Sequence, residues 1–236
     1  MGVLLSFIKE ILFPKHCLGC GRLGSYLCTS CVKKLKVINK DVCPHCEKAS
    51  HFGLTHYGCR RKFGLEGLKS IFYYDNLVKK IIKNIKYQLV EEATDDLLKS
   101  IPQSKIEEIF FYKQLARDFI FIPVPLHLKR ERKRGFNQSE EMVKFFAKIL
   151  NFPIENRLII RARNTKPQVE LEKPIERHKN IIGAFSLAKE SVSTRIKGKS
   201  FIIFDDVWTT GWTIKEIARV LKKAGAAKVF ALTIAR

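Results

Sequence analysis

Apolar residues along this chain follow two rhythms. Three unbroken runs, Ile71-Phe72-Tyr73-Tyr74, Phe119-Ile120-Phe121-Ile122 and Phe201-Ile202-Ile203-Phe204, and the stretch Val229 to Ala235, broken only by Thr233, read as strands of a parallel sheet. Elsewhere apolar residues recur every three or four positions. Val78, Ile81, Ile82 and Ile85 form one helix face behind a cap at Asn76, and Met142, Phe145, Phe146 and Ile149 form a second. Ile214, Ile217, Ala218 and Leu221 form a third, opened by a Thr213-x-x-Glu216 capping-box pattern and stopped at Gly225. Glu91 to Leu115 is helical in pattern, split at Pro102. Strands alternating with helices predict a three-layer α/β domain.

Three segments depart from this alternation. Leu4, Leu5, Phe7, Ile8, Ile11 and Leu12 give the N-terminus the pattern of a short amphipathic helix ending near Pro14. Lys9 and Glu10 interrupt it and no small-residue cleavage site follows, so it does not read as a signal peptide. From Arg161 to Asn180 the chain is polar and aperiodic, interrupted by Pro167 and Pro174. A stretch that long suits a lid or binding loop, with Arg161, Arg163, Gln168 and Arg177 as candidate contacts. The third segment holds every cysteine of the chain, between positions 17 and 59.

Those cysteines are paired by a two-residue spacing. Cys17, Cys20, Cys28 and Cys31 make two knuckles and one four-thiolate set. Cys43, Cys46 and Cys59 make a second set, completed by His56 in a His-x-x-Cys pair, with His51 as the rival for that eighth position. Four protein ligands each predict two closed, structural Zn²⁺ sites. An odd cysteine count and the lack of a secretory signal argue against disulfides and point to a cytoplasmic chain. The seam between this module, residues 1–66, and the α/β domain, residues 67–236, falls at Gly64 to Gly67.

The run Phe201–Phe204 ends in two carboxylates, Asp205 and Asp206, followed by Val207, Trp208, Thr209, Thr210, Gly211, Trp212 and Thr213. A Gly-containing turn that feeds a helix presents backbone N–H groups to an anion, and the threonine hydroxyls add donors. The acids just before it suit sugar hydroxyls, or a Mg²⁺ bridging sugar and pyrophosphate. The pattern asks for a phosphorylated ribose. A second polar cluster follows the run at 119–122: Lys129, Arg130, Arg132, Lys133 and Arg134 lie just beyond a strand's C-terminal end, where α/β proteins place ligand loops. It suits pyrophosphate or a nucleic-acid backbone.

Composition widens this reading to polyanions. The 236 residues carry 44 Lys and Arg against 23 Asp and Glu, a net charge of +21. Such a balance favours nucleic acid, anionic lipid or phosphorylated ligands. No apolar run reaches the ~18 residues of a membrane span.

The strand, Asp205-Asp206 and Thr209-Thr210-Gly211-x-Thr213 resemble the phosphoribosyl-pyrophosphate (PRPP) motif of type I phosphoribosyltransferases, with Trp212 standing where that family usually has a small residue. Joined to the cysteine knuckles, Ile122-Pro-Val-Pro125, Arg134-Gly-Phe-Asn-Gln138, Arg163-x-Thr165-x-x-Gln168 and Arg177-x-x-Asn180-x-x-Gly-Ala-Phe185, the order resembles the ComF family of competence proteins. The resemblance implies a double zinc ribbon fused to a phosphoribosyltransferase-like, Rossmann-like domain that binds PRPP with Mg²⁺. It also implies a role in bringing single-stranded DNA into the cytoplasm during natural transformation, beside a competence helicase and other uptake proteins at the inner face of the membrane. The alternative is an active phosphoribosyltransferase with a nucleobase or amine acceptor. His56 departs from the family's all-cysteine second site.

Overall fold

A computed structural model describes residues 14–88, 91–116, 118–163, 174–189 and 193–236. The proposed helix at the extreme N-terminus lies outside them, as do Thr165 and Gln168 and the side chain of Arg177. After a metal-ligand-rich segment with one short helix, α1 (Thr29–Val32), the order is β1 (Gly67–Phe72), α2 (Asn76–Gln88), α3 (Glu91–Lys99), α4 (Gln103–Leu115), β2 (Phe119–Pro123), α5 (Leu128–Arg134) and α6 (Gln138–Leu150). Then come β3 (Ile159–Arg161), α7 (Pro174–Ile181), β4 (Phe185–Leu187), α8 (Ser193–Ile196), β5 (Ser200–Val207), α9 (Trp212–Lys223) and β6 (Lys228–Ala235).

Strands β1, β6, β5 and β2 form one sheet in that order, every pair parallel, while β3 and β4 make a separate antiparallel pair. Alternation along β5 explains the two layers of helices. Phe201 and Ile203 join a core with Ile214, Ile217 and Leu221 of α9, whereas Ile202 and Phe204 join another with Ile82 of α2, Ile106 of α4 and Phe146 of α6. The fold is the three-layer α/β arrangement that the alternation of runs predicts.

The first strand begins at Gly67, earlier than its apolar run, because two polar residues within it are buried and partnered. Lys69 Nζ pairs with Asp41 at 2.5 Å and also with Glu108 of α4, and Ser70 bonds Thr233 across the sheet at 2.7 Å. Asp41 belongs to the cysteine-rich module, so this network ties the module to sheet and helix. The module also lies along the open side of β1: Ile38 donates its N–H to Ile71 at 2.8 Å, and bridges join Val37 to Phe72 and Leu54 to Gly67. At the opposite edge Phe121 of β2 exchanges backbone bonds with Pro153 and Glu155.

Three local expectations are corrected. Helix α2 is capped by Asp75, whose Oδ1 accepts the Val78 N–H at 3.0 Å, not by Asn76. The Thr213–Glu216 capping box does not form. Helix α9 starts at Trp212 after left-handed Gly211, and Glu216 turns away to accept the Gly183 N–H at 2.8 Å and to pair with Arg219. The basic run after β2 is a helix rather than a loop. His127 caps it by accepting the Lys129 N–H at 3.2 Å, and Gly135 ends it at φ 79°.

Candidate ligand site and metal centres

Strand β5 carries both carboxylates to the C-terminal edge of the sheet. Asp205, half-buried, accepts a hydrogen bond from the Ser139 hydroxyl at 3.0 Å and from the Asp206 N–H at 2.9 Å. Asp206 is 6% exposed, and its Oδ2 lies 2.5 Å from Lys86 Nζ. Burial, and then the neighbouring charge of Asp206, push the Asp205 carboxyl up to about 7, against the opposing pull of Lys86. For Lys86, burial disfavours the cation, but Asp206 more than compensates and holds it above its ordinary range. A pair of adjacent acids thus shares one lysine, an arrangement that a ligand cation or sugar hydroxyls can enter.

The loop beyond β5 is built around Trp208, which is buried and donates its N–H to Ala235 at 2.8 Å. Gly211 sits at φ 69°, and a Cβ there would lie 2.2 Å from the Trp208 ring, so conformation and space both require glycine. The Thr210 hydroxyl is buried without a hydrogen-bond partner, and so is the side-chain amide of Gln138 at the start of α6. Buried polar atoms of this kind are ordinarily met by an ordered water or a ligand. Lys215 donates to the Thr210 carbonyl at 3.3 Å and holds its ammonium 5.0 Å from the Trp212 ring and 5.2 Å from the Trp208 ring.

The basic helix α5 divides its charges. Arg130 and Arg134, one turn apart, are half-buried, while Arg132 and Lys133 face solvent. Arg161 on β3 lies over the Phe185 ring at 5.4 Å, and burial, with Arg130 adding to it, pulls its guanidinium down to about 10 while Asp205 opposes. Arg161 therefore feels the charges of both Arg130 and Asp205. Arg163 is elsewhere: it is exposed and donates to the carbonyls of Asn180 and Ile182.

Lys86 and Ser139 are not among the candidates from sequence, although each leaves a signal. Lys86 stands four residues after Ile82 and eight after Val78, on the apolar face of α2. Ser139 stands three before Met142 and four before Val143, on the apolar face of α6. A polar residue at an apolar-face position near a helix end has a partner to meet.

The cysteine-rich module brings together two ligand sets. In each of Cys17, Cys20, Cys28, Cys31 and Cys43, Cys46, His56, Cys59 the donor atoms all lie within 4.8 Å of one another. Zn–S bonds of about 2.3 Å require tetrahedron edges of about 3.8 Å. Cys20 and Cys28 sulfurs are 3.7 Å apart, and Cys46 Sγ is 3.3 Å from His56 Nδ1. His56 Nε2 lies 3.0 Å from the Ala49 carbonyl, a bond that fixes the ring with Nδ1 toward the thiols. His51 is not in the set and instead packs edge-on against Phe52 at 4.7 Å. Burial would raise Cys17, but N–H donors of Cys28, Cys20 and Gly19 hold it at about 6, while burial and its neighbouring thiols push Cys31 up to about 12. Four thiols so close cannot all ionise without a cation, and the donor sets bind Zn²⁺.

Comparison with known proteins agrees with this two-part build. Residues 8–60 match the double zinc ribbon domain and residues 109–236 the phosphoribosyl transferase domain. The chain is 27% identical to "Competence protein F" of Haemophilus influenzae, over 94% of this chain and 95% of that one. It is 28% identical to "Competence protein ComFC" of Bacillus subtilis, over 89% and 84%, and 27% identical to "DNA utilization protein YhgH" of Escherichia coli, over 86% and 87%. These relatives bear out the ComF resemblance. Among solved structures, a glutamine PRPP amidotransferase from B. subtilis is similar at 19% identity and a TM-score of 0.32, over 49% of this chain and 22% of that one.

Proposed function

The chain belongs to the phosphoribosyl transferase domain family, and on that premise we propose that it binds Mg²⁺-PRPP and assists the passage of single-stranded DNA into the cytoplasm. The observation that carries the first half is the adjacent pair Asp205 and Asp206, held by Ser139 and Lys86, beside the Gly211 turn and the buried Thr210 hydroxyl. In this reading the acids hold the ribose hydroxyls or the Mg²⁺, and Thr209 to Thr213 hold the 5′-phosphate. Arg130, Arg132, Lys133 and Arg134 meet pyrophosphate or a DNA backbone. Residues 1–66 form the zinc module and 67–236 the ligand domain. The second half rests on the +21 charge and on the competence and DNA-utilization names of the relatives.

Calorimetry with Mg²⁺-PRPP, and anisotropy with single-stranded oligonucleotides across a salt series, test the two halves separately. The reading expects saturable PRPP binding and a steep fall of DNA affinity with salt. Absence of PRPP binding would remove the first half, and a salt-independent affinity the second. Cations beside the paired acids favour one other reading, transfer of the ribose to a nucleophile at C1 with release of pyrophosphate. Pyrophosphate release across a panel of nucleobases and amines separates a transferase from a binding protein.

A further inference from the structure

A cleft of about 330 Å³ lies apart from the paired acids, between the zinc module and the ligand domain. Its walls are Arg61, Lys62 and Phe63 on one side, Trp212 and Lys215 on the other, and the end of α7. Aromatic rings and cations alternate there. Lys62 and Lys223 stand over Phe63 at 5.5 and 5.8 Å, and Lys215 over Trp212 at 5.0 Å. The one acid of the lining, Glu216, is held by Arg219 at 2.7 and 2.8 Å and by the Gly183 N–H, so it does not offset the cations. On the same module Tyr57 is 87% exposed with Arg60 at 5.5 Å.

Stacking rings interleaved with cations are the physical requirement for binding single strands without base readout. The rings take the base faces, which every sequence offers, and the cations take the backbone. A lipid headgroup would use the cations but not half-buried rings within a cleft. We propose that this cleft is a base-stacking subsite for single-stranded DNA, with Phe63 and Trp212 as platforms and Arg61, Lys62 and Lys215 on the phosphates. The proposal rests on the DNA-handling half of the reading above and adds where the strand is held.

The test uses the full chain with its zinc and a labelled oligothymidylate. Phe63→Ala should weaken the oligonucleotide roughly ten-fold and leave zinc content and Mg²⁺-PRPP affinity unchanged. Lys62→Ala should reduce the log–log salt slope by about 0.7, the share of one single-strand phosphate contact. An independent measurement needs no destabilising change. Oligothymidylate should quench the intrinsic fluorescence, and Trp212→Phe should remove most of that quenching, because the other tryptophan, Trp208, is buried. Wild-type binding with no quenching, and with Phe63→Ala binding as tightly, would overturn the subsite and leave the DNA-handling reading standing. Equal affinity for duplex would also overturn it, since paired bases cannot stack on the rings. No binding of single strands by the wild type would remove both.

Discussion

Replacing both acids, Asp205→Asn with Asp206→Asn, separates their ligand role from their structural one. The neutral amides keep the size of the side chains and remove two charged acceptors for sugar hydroxyls or Mg²⁺. Charged hydrogen bonds contribute about 1.5–3 kcal/mol each, so PRPP affinity should fall by roughly two to four powers of ten. Stability should fall only modestly. An amide oxygen in place of the Asp205 carboxylate can still accept from Ser139, and that carboxyl, pushed up to about 7, already resides part of the time in its uncharged form near neutral pH. The main loss is the Lys86–Asp206 pair. Asp206 is buried and the Lys86 side chain is only 28% exposed, so losing the anion leaves a partly desolvated cation, at a cost of about 2–3 kcal/mol. For a chain of this size that lowers Tm by roughly 4–12 °C. Calorimetry with Mg²⁺-PRPP, with thermal unfolding and zinc analysis as controls, reads all three quantities. Undiminished PRPP affinity would mean that the motif only ends a strand. Gross unfolding would mean that the acids are structural and that the site assignment fails.

Elemental analysis of reduced, purified protein should find two zinc ions per chain, with Cys17→Ser losing one, His56→Ala losing the other and His51→Ala keeping both. Gly211→Ala forces a left-handed alanine, at about 1–2 kcal/mol, and drives Cβ into Trp208. It should lower Tm and PRPP affinity more than Gly198→Ala, which meets the same φ penalty in open space, and calorimetry compares the two. Glu108 offers a pH test. Burial would raise its pKa, but Lys105 and Lys69 together hold it below its ordinary value of 4.5, so its contribution is present above that pH and lost as pH falls through the lower folded value. Glu108→Gln should therefore destabilise at neutral pH by about 1–3 kcal/mol, with the gap to wild type closing in acid; a constant gap in thermal unfolding would show that the effect is not the charge.

What the chain reveals before folding, and what it hides, follows from the range of each interaction. The apolar runs at 119–122 and 201–204 and the helix faces are local periodicities, and so are the two-residue cysteine spacings. The paired acids and the Gly211 turn are contiguous in sequence as they are in space. The misses are long-range. Lys69 interrupts a strand pattern because its partners lie at Asp41 and Glu108, and Glu216 leaves its capping role for Gly183, 33 residues away. Lys86 meets Asp206 only when α2 crosses the end of β5. The basic run at 129–134 misleads for a different reason: charge spacing does not distinguish a loop from a short helix, and the cap at His127 and stop at Gly135 decide it.

The contact along β1 makes the metal a guardian of solubility. An outer strand offers unpaired backbone donors and acceptors to any other strand, and exposed edges seed sheet-to-sheet association. Here the zinc module occupies that edge through Ile38, Val37 and Leu54, in a small segment that bound metal would staple. Chelation would strip the cover before it disturbed the sheet, leaving a folded domain with an open, adhesive flank. Zinc starvation should then appear first as aggregation, and only later as loss of helical signal.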